Sequence, residues 1–158
     1  MSGISPEIVE KDFWVCWTLR QLFELQDIPH LIFKGGTSLS KAFGIIKRFS
    51  EDIDLVLNRH ELGFVAKNDP ANQTGSHLRN RTIDNLKGKC VAYLAAQFIP
   101  KLCVQMTTVL AGINWSLEAD SNAPDHDTFE FAYPPGIKAA LTPSYIKRTV
   151  RLEIGCRR

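Results

Sequence analysis

The sequence predicts an α+β fold, and three observations carry that expectation. Two segments, about 6–26 and 77–97, space their apolar residues for one helical face. Five short runs, 31–33, 52–57, 113–118, 128–133 and 145–155, have strand character instead. At 158 residues with 44% hydrophobic content the chain has enough apolar material for one globular domain over 1–158, and too little length for a second.

The first helix is announced by Ser5-Pro6-Glu7, an N-cap, a first-turn proline and an acidic first turn. Ile8, Val15, Leu19 and Leu22, joined by Cys16 and Phe23, are its expected apolar stripe. Glu10-Lys11-Asp12 reads as a charged solvent face ahead of the aromatics Phe13 and Trp14, with no catalytic role. Asp27-Ile28-Pro29 ends the helix, because proline lacks a donor and biases its predecessor away from helix.

Leu31-Ile32-Phe33 then runs into Gly35-Gly36, after which Leu39, Ala42 and Phe43 recur at helical spacing. A strand, a glycine turn and a helix start in that order point free N–H groups and the positive end of a helix dipole at one spot. Glycines without Cβ atoms let a phosphate come close. The stretch is therefore a candidate anion site. Further on, Asp52-Ile53-Asp54-Leu55-Val56-Leu57 alternates, so that Asp52 and Asp54 share a face opposite Ile53, Leu55 and Leu57. Carboxylates at i and i+2 lie roughly 6.5–7 Å apart, within reach of a pair of divalent cations about 3.5–4 Å from one another. Taken singly, Gly35-Gly36 is also an ordinary strand exit, and Asp52 and Asp54 are also solvated edge carboxylates.

Residues 68–76 are a polar, breaker-rich segment expected as a mobile surface loop. The helix over 77–97 buries Ile83, Leu86, Cys90, Val91, Leu94 and Phe98, and its basic residues His77, Arg79, Arg81, Lys87 and Lys89 read as a solvated face rather than an RNA contact. Pro100 marks an end or a kink, and 101–111 fits helix and strand equally. Residues 113–118 and 128–133 form a hairpin across the turn-prone 120–125, where Asp125, His126 and Asp127 read as solvated rather than as a metal cluster. The last strand, 145–155, places Thr149, Arg151 and Glu153 on one face; by itself Glu153 is an edge carboxylate paired with Arg151 or Lys147.

The ordered pair Gly35-Gly36-Thr37-Ser38-Leu39 and Arg48-Phe49-Ser50-Glu51-Asp52-Ile53-Asp54, with Lys41 and Phe43 between them, resembles the AbiEii/AbiGii toxin family of type IV toxin–antitoxin and abortive-infection systems. Val150-Arg151-Leu152-Glu153-Ile154-Gly155 resembles that family's Leu-Glu-x-Gly strand, and Glu10 to Trp14 its first helix. The resemblance implies a polymerase-β-like nucleotidyltransferase core, a mixed β-sheet flanked by helices, lacking the helical region with which family members usually continue.

The implied reaction is transfer of NMP from a nucleoside triphosphate to an acceptor hydroxyl, with RNA, such as a tRNA 3′ end, as acceptor. Asp52, Asp54 and Glu153 are the implied catalytic and metal-binding residues, holding two Mg²⁺ ions or Mn²⁺ in their place. Gly35, Gly36, Thr37, Ser38, Lys41, Arg48 and Ser50 are the implied nucleotide and phosphate ligands, and the basic Lys147, Arg148, Arg151, Arg157 and Arg158 offer a weaker triphosphate or RNA contact. A separately encoded antitoxin is the implied protein partner. A truncated, non-catalytic core that binds nucleotide or a partner is the alternative, and metal-dependent phosphodiester hydrolysis ranks below both because it gives no reason for the glycine turn.

A net charge of +2 neither demands nor excludes nucleic acid. The apolar run 90–99 is too short to span a membrane, and no N-terminal leader pattern is present, so the expected location is the cytoplasm. Cys16, Cys90, Cys103 and Cys156 show neither a Cys-x-x-Cys pair nor zinc-ligand spacing, and are expected as reduced thiols.

Overall fold

A computed structural model describes residues 5–36, 38, 51–125, 127–137 and 146–156. Helix α1 (Pro6–Glu24) starts where Ser5 accepts the Ile8 N–H, with Pro6 in the first turn where no donor is needed. Its buried stripe is Lys11, Val15, Thr18 and Leu22, at the i, i+4, i+7, i+11 spacing of one helical face. That corrects the expected stripe: Cys16 and Phe23 are exposed, and Lys11 is inside. Hydrophobicity ranked the side chains, but the phase of the helix was set by Val15, Leu22 and the aromatics Trp14 and Trp17, which pack on Phe131 and Tyr133.

Asp27 takes a left-handed turn, and the chain enters β1 (Leu31–Lys34). Strand β2 (Asp52–Leu57) pairs antiparallel with it. Two 3₁₀ turns, Ala66–Asn68 and Pro70–Asn72, lead into α2 (Ser76–Tyr93). A π-helical turn, Leu94–Phe98, then joins α2 to α3 (Ile99–Val109), so the ambiguous 101–111 is mostly helical. Pro100 has no N–H for the carbonyl four residues back; the wider turn opens the ladder just before it, and Pro100 sits in the first turn of α3, where that donor is not required.

The expected hairpin is β3 (Ser116–Ala119) and β4 (Thr128–Ala132). Strand β5 (Thr149–Gly155) starts later than its alternation suggested, since 146–148 are irregular and Tyr145 lies outside the described residues. It inserts between β2 and β4, parallel to the first and antiparallel to the second, so the sheet order is β1-β2-β5-β4-β3. The sheet is mixed, as expected.

One face of this sheet is apolar. Ile53, Leu55, Leu57, Val150, Leu152, Ile154, Phe129 and Phe131 pack with Val15 and Leu22 of α1 and with Leu86, Leu94, Phe98, Leu102 and Met106 of the helical hairpin. Gln105 of α3 donates to the Gln21 carbonyl at 2.8 Å and Lys101 to the Asp27 carbonyl at 2.8 Å, which docks α3 on α1.

Two expectations fail here for local reasons. The segment 68–76 is an anchored element rather than a loose loop: Asp69 is buried and accepts from the Ala71 N–H, from both arms of the Arg59 guanidinium and from His60 Nε2. Burial alone would raise the Asp69 carboxyl, but these three donors outweigh it and hold the group at about 2. The reduced-thiol expectation also fails for two cysteines, because β5 ends beside α2 and Cys156 forms a disulfide with Cys90. The partners are 66 residues apart, a separation that carries no spacing signature. Cys16 and Cys103 are free. The basic face of α2 is in part committed to the protein itself, with Lys87 on Asp125, Arg79 on the Gln73 carbonyl and Lys89 over the Phe64 ring. Among the described residues no helix is long and apolar enough to cross a membrane.

Thiol titration of the denatured, unreduced protein is expected to count the two free cysteines and, after reduction, all four; four before reduction would contradict the bridge. For Asp69, a folded carboxyl held at about 2 lies below the ordinary aspartate value near 3.9. Its stabilisation is therefore complete above the unfolded value and is lost as pH falls toward 2. Urea midpoints measured from pH 5 to pH 2 should drop less in Asp69→Asn than in the parent chain, and equal drops would refute the role given to this carboxylate.

Candidate active site

The sheet's second face is polar, and its centre is made by the parallel pairing of β2 with β5. Asp52 stands opposite Arg151 and Asp54 opposite Glu153. On the other side of β2, Lys34 stands opposite Asp54. Neighbouring strands lie about 4.8 Å apart, so one row across the sheet reads Lys34, Asp54, Glu153, Thr128 and the next reads Asp52, Arg151, Glu130, Glu118. Alternation along β2 and β5 thus gathers Asp52 and Asp54 with Glu153, which follows them about a hundred residues later in the chain.

These carboxylates do not sit comfortably together. Burial and then the charge of Asp52 push the Asp54 carboxyl above its ordinary value, against the opposing pull of Arg151 and Lys34. Burial also raises Glu153; Arg151 lowers it, and Asp54, Asp52 and Asp127 raise it further. Like charges held on one sheet face favour neutralisation by a proton or a cation. Glu153 takes Arg151 as its counter-charge, Nη2 to Oε1 at 3.2 Å. In this arrangement no three His, Cys, Asp or Glu side chains among the described residues converge on one point. Donor type and register nevertheless suit a hard divalent cation, which takes carboxylate oxygens, while Glu153 is paired with Arg151.

Gly35 explains the tight approach of β1 to this group. Its φ is +73°, and a Cβ placed there would stand 1.8 Å from Asp54 Oδ2 and 2.8 Å from Cγ. The space left by the missing side chain is filled by the Asp54 carboxylate, so the glycine serves Asp54 as well as any anion above the turn. Gly36 and Ser38 continue in helical conformation, with Ser38 buried. Thr37, Lys41, Arg48 and Ser50 lie outside the described residues, as do His126, Arg157 and Arg158.

Two further features belong to this face. Arg151 is central to the face, opposite Asp52, and its Nε is buried with no hydrogen-bond partner among the described residues. Beyond β5 the same face opens into a polar cavity of about 410 Å³ lined by Glu118, Glu130, Asn122, Lys147 and Thr149. The sequence already placed Arg151 on the face of Glu153 as a counter-charge, and the ion pair bears that out; the register adds its position opposite Asp52. Lys147 borders the cavity rather than the carboxylates, and Arg148 lies close enough to Tyr133 and Glu7 for its charge to act on both.

The family whose profile describes the nucleotidyl transferase AbiEii toxin of type IV toxin–antitoxin systems matches residues 17–158. No curated protein and no solved structure matches the chain.

Gly35→Ala should lower the thermal midpoint, because it meets both a positive φ and the Asp54 carboxylate. Shortening Asp54 removes the second obstacle. Asp54→Ala is therefore expected to recover part of the loss in the double variant, and strict additivity of the two changes would contradict this contact.

Proposed function

Because the chain belongs to the AbiEii family of nucleotidyl transferase toxins of type IV toxin–antitoxin systems, we propose that it transfers NMP from a nucleoside triphosphate to an acceptor hydroxyl on RNA, with a tRNA 3′ end as the preferred class. The observation that carries this reading is the register that sets Asp54 beside Glu153 and Asp52 beside Arg151 on one sheet face, next to the glycine turn that ends β1. A bond forms between the acceptor oxygen and the α-phosphorus, the acceptor's proton passes to solvent, the bond from that phosphorus to the β-phosphate oxygen breaks, and pyrophosphate leaves.

Asp52, Asp54 and Glu153 would hold two Mg²⁺ ions, or Mn²⁺, which when bound supply charge neutralisation on the triphosphate and acidify the acceptor hydroxyl. The chain's own groups do the rest. Backbone N–H groups at Gly35 and Gly36, with the hydroxyls of Thr37 and Ser38, hold the β- and γ-phosphates. Lys41, Arg48 and Ser50 are assigned to the same phosphates on the strength of the family motif. Arg151, released when Glu153 turns to a cation, offers its guanidinium to the charge that develops on the departing pyrophosphate.

A type IV family implies a cognate antitoxin, and a reaction on nucleoside triphosphate and RNA would run in the cytoplasm. A second reading, a core that binds nucleotide or a partner and transfers nothing, draws on the Arg151–Glu153 ion pair, which keeps the third carboxylate from the other two.

Incubating the chain with each α-labelled nucleoside triphosphate, bulk RNA and Mg²⁺ is expected to label RNA with one nucleotide preferred. Replacing Asp52 and Asp54 together by Ala should reduce incorporation by at least about 10³-fold, the scale on which loss of central electrostatic groups acts. Nucleotide binding without incorporation by the parent chain would select the non-catalytic reading.

A further inference from the structure

Helix α1 lies against the apolar face of the sheet, away from the carboxylates, yet it buries two charged side chains. Lys11 is 2% exposed, and its ammonium bonds the carboxylate of Glu51. Its neighbour Glu10 is 9% exposed, and Oε1 accepts the N–H groups of Gly136 at 2.5 Å and Ile137 at 2.9 Å. A buried ammonium without a counter-charge is strongly unfavourable, so a chain keeps one only where its partner is fixed.

The position of that partner matters. Glu51 immediately precedes Asp52, and in extended chain consecutive side chains point to opposite faces. Glu51 reaches down to Lys11 in the helical layer, and Asp52 reaches up to the polar face. The start of β2 is thereby held from below. Glu10 acts on the connection that leaves β4 on its way to β5, and because β2 and β5 are parallel, both strands start at the same end of the sheet. One turn of α1 therefore holds both the residue that leads into β2 and the chain just past β4, at the end of the sheet where β2 and β5 begin.

We propose that Lys11 is a positioning residue that acts through Glu51 to set Asp52 for cation binding. The assignment rests on the reading of Asp52 and Asp54 as metal ligands. It differs from simple helix docking in what it predicts: loss of the tie alters metal affinity and turnover, whereas a docking contact alters stability alone. Residues that orient metal ligands typically change affinity by about 10–100-fold when replaced, and a misplacement of about 1 Å costs on the order of 10²-fold in rate.

The test uses the full chain with Lys11→Met, Glu51→Gln and the two combined. Mn²⁺ binding is followed by calorimetry, transfer by kcat and by KM for the preferred nucleotide, and folding by thermal melting. Expected is a loss of about 10-fold or more in Mn²⁺ affinity and of about 10²-fold in kcat. KM for the nucleotide should hold within about twofold, since the phosphate ligands are untouched. The double variant should be no worse than the poorer single one, because both changes remove the same tie. A folded Lys11→Met chain with the parent's Mn²⁺ affinity and kcat overturns the proposal, and so does a lower melting temperature with both unchanged. If Lys11→Met does not fold, Glu51→Gln decides by the same criteria, its side chain being 46% exposed. Asp52→Asn separates the two levels: loss of Mn²⁺ binding there but not in the Lys11 and Glu51 variants defeats only this assignment. Parental Mn²⁺ affinity in Asp52→Asn defeats the metal-ligand reading and this assignment with it.

Discussion

Everything proposed for this chain depends on the parallel pairing of β2 with β5. A parallel neighbour cannot be reached by a tight turn, and the residues between these strands include the helical hairpin and the β3–β4 hairpin. The pairing is held in place by what packs beneath it: Ile53 and Leu55 against Leu152 and Ile154 in register, with the helices filling the layer below. A slip of one residue would turn Glu153 into the core and Ile154 out to solvent. The apolar face therefore fixes the polar one. The bridge from Cys156 to Cys90 adds a covalent stop just past the end of β5, three residues from Glu153.

The polar face is built at a cost in stability. Asp52, Asp54 and Glu153 repel one another, Gly35 is held in a left-handed conformation to make room for Asp54, and Arg151 Nε is buried without a partner among the described residues. Such features tend to be kept where a ligand relieves them. A bound cation would remove the repulsion, and an anionic substrate would satisfy the donor on Arg151. Each unfavourable feature thus matches one charge of the proposed complex between nucleotide and metal.

Much of this was legible in the chain. Alternation in 52–57 separated the aspartates from the core residues correctly, and alternation in 149–155 did the same for Glu153, because a strand with one buried face writes its pattern plainly. The β3–β4 hairpin was legible for the same reason. Lys11 was not, since a lysine in a charged triplet reads as solvated unless the helical phase is known; only the spacing from Val15 to Leu22 marks it as inward. Asp69 was hidden by its neighbours, because Asn, Asp, Pro and Gly describe a loop's conformation but say nothing of the Arg59 and His60 that grip it. The cysteine bridge joins residues that only tertiary structure brings together. In each case the missing information was a partner distant in sequence.

The central claim is that Asp52, Asp54 and Glu153 form one cation site. Crystals of the chain grown with Mn²⁺ and a non-hydrolysable nucleoside triphosphate analogue, measured for anomalous scattering, test it most directly. The account predicts anomalous density at about 2.1–2.2 Å from carboxylate oxygens of Asp52 and Asp54, with Glu153 turned from Arg151 toward the same density. Mn²⁺ bound elsewhere on the folded chain, with Glu153 still paired to Arg151, would contradict it.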